Sequence, residues 1–492
     1  MNSTNGQSAQ GRPQVVWSHD LLIGAASEAG QGETLTVVNP ATEKVAAQLQ
    51  GASLAQVDAA VRAARTAFAS AQWADGAFRR QCLHRLADLI EKNAQMLMAS
   101  LVEEIATPVS HKGMQIDAAL AFLRWFADAA LKDRSYSLPR LPGMVGTENT
   151  VTFRPAGVVA GIIAYNYPLI LVATKLGAAA AAGCTTVLLP SPLAPMTVLL
   201  LGKLIREAGF PPGTVNIVVG GPEVGKALSE HPDVDKVSFT GSVGVGRRIM
   251  EQAAKGLKGV VLELGGKSAA ILMPGVDFAK YTLKLHSRYL QNAGQGCGSP
   301  TRILVERKRL DEFLDESRKA YQQIRVGDPW DPATLVGPVI SAAHRARVRG
   351  YIDEAVKGGA QVAASSSTPL PTTGWYVAPT LISGIDNKAR IAREEIFGPV
   401  GVVIPYDSID QAIDITNDSE LGLKAYLYGP AAVCKSLAPR LRVGTVVINS
   451  GAGLRADAPM GGFKASGIGR EWGEEGVREF LETQHIDAAE VD

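Results

Sequence analysis

Apolar residues recur at helical spacing early in the chain. Residues 53–70 open with Ser53 and Gln56 in capping-box spacing and place Val57, Ala60, Val61, Ala64 and Phe68 on one face, which predicts an amphipathic surface helix. A second helix is predicted around 78–104, where Leu83, Leu86, Leu89 and Ile90 repeat the pattern, and a third over 115–130, so the opening third reads as mostly helical. From residue 157 the rhythm changes. Short apolar runs (Val158 to Ala164, Thr185 to Leu189, Val215 to Val219, Lys236 to Phe239, Val260 to Leu264) alternate with helical segments, which predicts an α/β protein with a doubly wound parallel sheet. Pro168 and Pro195 stand where helices would begin, the position at which a missing N–H costs nothing. A second alternation follows residue 297, with a strand at 302–306 and a helix at 309–324, and runs to about 448 as a second α/β domain. The polar segment 134–152, dotted with Pro and Gly, has no core of its own; an oligomerisation arm or hairpin and an ordinary surface loop both fit it.

Composition narrows the function classes. The 49 Lys and Arg against 48 Asp and Glu leave a net charge of +1, which gives no electrostatic reason to expect nucleic acid or an anionic membrane as partner, so a small-molecule substrate is the default. Cys82, Cys184, Cys297 and Cys434 are too few and scattered for a disulfide framework and lack metal-ligand spacing; no metal is expected, and a reducing cytoplasm fits. Met1 to about Gln14 has neither the basic start nor the apolar stretch of a signal peptide and reads as a disordered tail. Lys175 interrupts the longest apolar candidate, Pro168 to Ala182, so no membrane span is expected.

Four short motifs carry the candidate chemistry. Asn292-Ala-Gly-Gln-Gly-Cys297-Gly-Ser-Pro-Thr-Arg302 leaves a thiol on a glycine-rich turn, where backbone N–H groups can lower its pKa and hold an oxyanion. A single cysteine is nevertheless more often a small buried hydrophobe. Glu263-Leu-Gly-Gly-Lys-Ser268 ends an apolar strand with a carboxylate that can act as general base or cap a neighbouring turn. In Tyr165-Asn166-Tyr167-Pro168, Asn166 can donate to an oxyanion or cap the following helix; its place at the end of a parallel strand favours the first role. Phe239-Thr-Gly-Ser-Val-Gly-Val-Gly246 opens a helix whose N-terminus can hold a pyrophosphate, although the spacing is not the usual dinucleotide fingerprint.

Together these motifs resemble the aldehyde dehydrogenase superfamily, and the resemblance runs from Val38-Asn-Pro-Ala-Thr through Glu394-Glu-Ile-Phe-Gly-Pro-Val400 to Phe463-Lys-Ala-Ser-Gly-Ile-Gly-Arg-Glu471. It implies a doubly wound parallel-sheet nucleotide-binding domain (15–133 and 153–262), an α/β catalytic domain (263–448), a β-hairpin oligomerisation arm (134–152 and 474–492) and a return segment lining the active site (449–473). By the same similarity Cys297 matches the nucleophile and Glu263 the general base. Asn166 with the Cys297 N–H matches the oxyanion hole, and Lys175 and Glu471 match a proton path. Ile162, Ile163, Tyr165, Gly241, Ser242, Gly246, Glu395 and Phe397 match cofactor contacts, while Tyr167, Leu171, Leu454 and Met460 match the substrate tunnel, with Trp125 and Phe126 near it. The implied reaction oxidises an aldehyde to its acid through a thiohemiacetal and a thioester, with NAD or NADP taking the hydride, in a homodimer or homotetramer.

Two features depart from the family or divide its substrates. Where the family usually carries Lys and Glu to bind the adenosine ribose, the chain has Leu189 and Pro192. Charged hydrogen bonds contribute about 1.5–3 kcal/mol each, so their absence implies NAD binding weakened roughly tenfold to several hundredfold and a blurred preference over NADP. The apolar tunnel suggests an aliphatic, terpenoid or aromatic aldehyde. Arg455 opens the alternative of a semialdehyde if it points inward. A non-catalytic binding protein of the same fold and a cofactor-free thiol esterase are the readings from other classes.

Overall fold

The computed structural model describes residues 12–13, 15–140, 147–449 and 454–489. Most of the expected tail Met1 to Gln14 lies outside these, as do parts of the expected arm and return segments. The first predicted helix forms as Leu54–Phe68. Its capping box is complete: Ser53 Oγ accepts from the Gln56 N–H at 3.3 Å, and Gln56 Oε1 accepts from the Ser53 N–H at 3.1 Å. The single helix expected over 78–104 is two, Gly76–Lys92 and Ala94–Ile105. The break falls at Asn93, whose Nδ2 donates to the Leu89 carbonyl at 2.7 Å and so competes with the backbone ladder. The third helix is Ala118–Ala129. The opening third also holds strands Asp20–Ile23, Ala26–Ala29, Thr34–Val38 and Val45–Gln50, too short for a periodic signal against their helical surroundings.

Every strand predicted after residue 157 is present within one or two residues. The first sheet runs, in spatial order, Ala26–Ala29, Asp20–Ile23, Val215–Ile217, Thr185–Pro190, Val158–Ile163, Lys236–Thr240, Gly259–Glu263 and Gly467–Ile468. Its five central strands are parallel, and an antiparallel strand closes each edge. The strand order reverses between Val158–Ile163 and Lys236–Thr240, the crevice where α/β sheets bind ligands at the strands' carboxyl ends.

The second sheet orders Gln361–Ser365, Thr380–Ser383, Val400–Tyr406, Arg302–Glu306, Ala269–Leu272, Lys424–Tyr428 and Thr445–Ile448, parallel except for its first pair. Helix Pro168–Ala182 begins on Pro168 as expected, whereas Pro195 stands one residue ahead of Met196–Glu207. Segment 134–152 is not a plain loop. Tyr136–Ser137 and the strand Thr147–Pro155, which overruns the expected boundary, build a three-stranded antiparallel sheet with Leu481–Ala489.

Candidate active site

The carboxyl ends of the first sheet and the loop before Arg302–Glu306 of the second sheet meet at a single place. Asn166, three residues beyond its strand, donates from Nδ2 to the Gln295 carbonyl at 2.8 Å. Its own carbonyl accepts from Gln115 Nε2 at 3.1 Å and Asn292 Nδ2 at 3.0 Å. The helix-cap alternative is thereby excluded, because Tyr167 occupies the cap position of Pro168–Ala182 and no side chain caps that helix. One hydrogen of the Asn166 amide remains for another acceptor.

Gln295 fastens the thiol loop from its other side. Its Oε1 accepts from the Tyr165 hydroxyl at 3.2 Å and the Ile340 N–H at 3.0 Å. The turn itself is tight, with Asn292, Ala293 and Gly294 at φ 52°, 53° and 73°. A side chain at Gly294 would collide with the Gly398 carbonyl.

Cys297 is half-buried, two residues past Gln295, and a Cβ at Gly266 would strike its carbonyl oxygen. Burial first, then the carboxyls of Glu263 and Glu395, push the thiol up to about 12, against Lys424 and the Gly298 N–H. Glu263 ends its strand 5% exposed, and among the described residues its Oε1 has no partner and its side chain caps no turn. Burial and the nearby Glu471 raise its carboxyl to about 8, opposed by Lys175, Lys424 and Arg470. Lys175 Nζ donates to Glu471 Oε1 at 2.7 Å and Ser238 Oγ at 3.0 Å, a buried ion pair next to Glu263. Of the predicted residues, Cys297, Asn166, Glu263, Lys175 and Glu471 thus share one neighbourhood.

The residues matched to a cofactor lie on the neighbouring strand ends and loops. Ser242 caps helix Val243–Ala254 through the Val245 N–H at 3.4 Å, which leaves the helix's opening N–H groups available to an anion. Gly246 lets that helix lie against the sheet, since a Cβ there would come within 2.6 Å of Leu264. Ile162 is half-buried and Ile163 buried in the strand before Tyr165.

Glu395 Oε1 accepts from the Gly266 N–H at 3.0 Å, and a Cβ on Gly265 would fill the space beside its other oxygen. Burial lifts its carboxyl to about 7. Phe397, at φ 60°, turns its ring edge-on to Tyr165 with centroids 6.0 Å apart. The glycine cradle, the free helix end and the buried acid suit a dinucleotide. Leu189, buried at 4% exposure, packs towards Gly225 and offers a ribose nothing to bind.

On the substrate side, Tyr167 places its hydroxyl near Gly296, and burial pushes it up to about 12. Leu171 and Leu454 are half-buried, and Met460 is held by paired 2.7 Å backbone hydrogen bonds to Glu471. Phe126 does not line a tunnel: it is fully buried and pressed against Gly177, with Trp125 edge-on to it. Arg455 faces solvent and donates to Asp457 at 2.9 and 2.6 Å. Four neighbours of the site were not singled out from sequence: Gln295, Lys424, Tyr426, whose hydroxyl donates to the Gly298 carbonyl at 2.8 Å, and Lys267, whose buried amine has no partner among the described residues and is lowered by burial to about 7. Gln295 and Lys267 sat inside quoted motifs, but their contacts are tertiary.

A profile of the aldehyde dehydrogenase family matches residues 27–486. The chain belongs to the aldehyde dehydrogenase family. It is 40% identical over 448 residues to geranial dehydrogenase of Castellaniella defragrans, covering 90% of this chain and 92% of that one. Among solved structures, the NAD+ complex of Bacillus cereus aldehyde dehydrogenase superposes with a TM-score of 0.92 at 36% identity, covering 96% of each chain. Aldehyde Dehydrogenase C of Pseudomonas syringae, as a cysteine-to-alanine mutant complexed with NAD+ and octanal, superposes at 0.90 with 37% identity, covering 95% of this chain and 96% of that one. This aldehyde dehydrogenase is NAD(P)-dependent as a class. Among the described residues no helix is long and apolar enough to cross a membrane, and no cluster of His, Cys, Asp or Glu is arranged to hold a metal.

Proposed function

We propose that the protein oxidises an apolar aldehyde, aliphatic, terpenoid or aromatic, to its carboxylic acid by a hydrolytic thioester route with NAD, and with NADP also accepted. The observation that carries this reading is the hydrogen bond from Asn166 to Gln295, which ties an amide donor of the first sheet to the loop that bears Cys297, in the field of Glu263. Cys297 loses its proton to the Glu263 carboxylate and attacks the carbonyl carbon. The resulting oxyanion is held by the Asn166 amide and the Cys297 N–H. The dinucleotide, when bound at Ser242, Gly246, Glu395 and Phe397, supplies the hydride acceptor. Glu263, relieved of its proton through Lys175 and Glu471, then takes one from the water that attacks the thioester; the C–S bond breaks and the acid leaves.

In this reading residues 15–133 and 153–262 hold the cofactor and 263–448 present the thiol. The sheet of Tyr136–Ser137, Thr147–Pro155 and Leu481–Ala489 joins subunits into a dimer or tetramer. Four unpaired cysteines fit a cytoplasmic enzyme. The apolar substrate class draws on Tyr167, Leu171, Leu454 and Met460, on the geranial and octanal named for the two relatives, and on Arg455, which is turned away to Asp457 and argues against a semialdehyde.

Rapid mixing with octanal and NAD tests the scheme. A rapid burst of reduced cofactor is expected from the wild type, a slowed burst followed by slower turnover from Glu263→Gln, which loses the base for both steps, and none from Cys297→Ala. Catalysis surviving in Cys297→Ala refutes the route, and faster turnover of succinic semialdehyde than of octanal refutes the substrate class.

A further inference from the structure

Three cations act on Glu263, and two of them are already engaged. Lys175 is bound to Glu471 and Ser238, while Arg470 Nη1 donates to the carbonyls of Gly469 at 2.7 Å and Gly462 at 3.3 Å. The third is Lys424, the first residue of the strand Lys424–Tyr428 in the second sheet. Its aliphatic stem covers Gly298, where a Cβ would lie 2.9 Å from Cδ and 3.1 Å from Cε, so it runs directly beside the nucleophile's neighbour. Its ammonium stands 5.7 Å from the centroid of the Trp472 ring, next in sequence to Glu471. Lys424 is 8% exposed, and its side chain forms no hydrogen bond or ion pair with any described residue. The aromatic face attracts the ammonium without neutralising it, so its charge stays available to neighbouring groups.

We propose that Lys424 is the positioning cation of this active site: seated on Trp472 and laid across Gly298, it stabilises the Cys297 thiolate before acylation and the Glu263 carboxylate after it. The inference rests on the reading of Cys297 as nucleophile. Its charge environment supports it. The groups facing the thiol are Glu263 and Glu395, which oppose its ionisation, the Tyr167 hydroxyl, and Lys424 with the Gly298 N–H, which favour it. Glu263 faces Glu471, Lys175, Arg470 and the same Lys424. Without Lys424 the thiol would look onto two carboxyls and no cation. Once the thioester forms, the sulfur is neutral and the ammonium serves the carboxylate alone, at the stage when that carboxylate must act as base.

Alkylation by iodoacetamide in the cofactor-free enzyme, its rate followed over the pH range in which the enzyme stays folded, reads the thiolate fraction directly, with Cys297→Ser identifying the sulfur concerned. Lys424→Met and Lys424→Gln are expected to slow alkylation about tenfold or more at each pH, the equivalent of about one unit in the thiol. Lys424→Arg, which keeps the charge, is expected to retain the wild-type rate. Each neutral variant that unfolds thermally like the wild type is read by itself. An unchanged rate in such a variant, or an Arg variant slowed as far as a neutral one, overturns the proposal. Loss of turnover on succinic semialdehyde with the alkylation rate unchanged also overturns it, assigning the ammonium to a substrate carboxylate. A burst of reduced dinucleotide that persists in Cys297→Ser sinks the nucleophile reading instead, whatever the rates.

Discussion

Glu263 stands at the end of an apolar strand with one carboxyl oxygen unpartnered among the described residues, and burial with the nearby Glu471 sets its ionisation. A carboxyl raised to about 8 by burial and Glu471 is mostly protonated at neutral pH and gains its basic form as the medium becomes alkaline. Turnover limited by thioester hydrolysis is therefore expected to climb through about pH 8 and then level, a steady-state pH–rate profile being the check; a flat profile refutes the assignment. Lys175→Met removes a charge that lowers the Glu263 carboxyl, so the midpoint should move further up. Stripping a buried pair of one partner should also cost about 3–5 kcal/mol in denaturant unfolding. The placing of Asn166, Cys297 and Glu263 beside a strand end or a glycine turn was legible in sequence because those signals are local. The approach of Lys424 was not, since it arises only where the second sheet passes beside Gly298. Phe126, expected only near the tunnel, is fully buried against Gly177, as an aromatic at helical spacing in a packed helix commonly is.

Helix Val243–Ala254 reaches the crevice because Gly246 admits the Leu264 side chain at close range. Gly246→Ala should push the helix outward and cost about 1–3 kcal/mol, with weaker dinucleotide binding. Thermal unfolding and cofactor titration measure both, and an unchanged affinity would show that the helix does not carry the phosphates. Elements with long apolar periods or capping signals were readable in advance, as Ser53 and Gln56 demonstrate. The strands before residue 51 were not, because four to six residues in two hairpins carry little pattern. The split at Asn93 escaped because apolar spacing continues across it and only the side-chain hydrogen bond to Leu89 reveals the break.

At the scale of the whole molecule, the sheet built by Leu481–Ala489 leaves Tyr136, Leu138 and Ile486 exposed at 52%, 39% and 42%. Removing residues 481–492 should lower the oligomeric state in sedimentation velocity; an unchanged mass rules out the arm's role. With Leu189 in the core and Pro192 beside it, titration of the apoenzyme should give NAD and NADP affinities within about tenfold of each other, one charged hydrogen bond's worth. Submicromolar binding of NAD with NADP far weaker would contradict this. Near the chain's far end, Gly467 pairs with Glu263, the Leu264 N–H donates to the Ser466 carbonyl at 3.0 Å, and Glu471 completes the ion pair with Lys175. In the proposed scheme, a break in the chain anywhere between residues 297 and 466 keeps the sulfur yet loses the strand that seats Glu263, so thiol activation and hydrolysis would fail together.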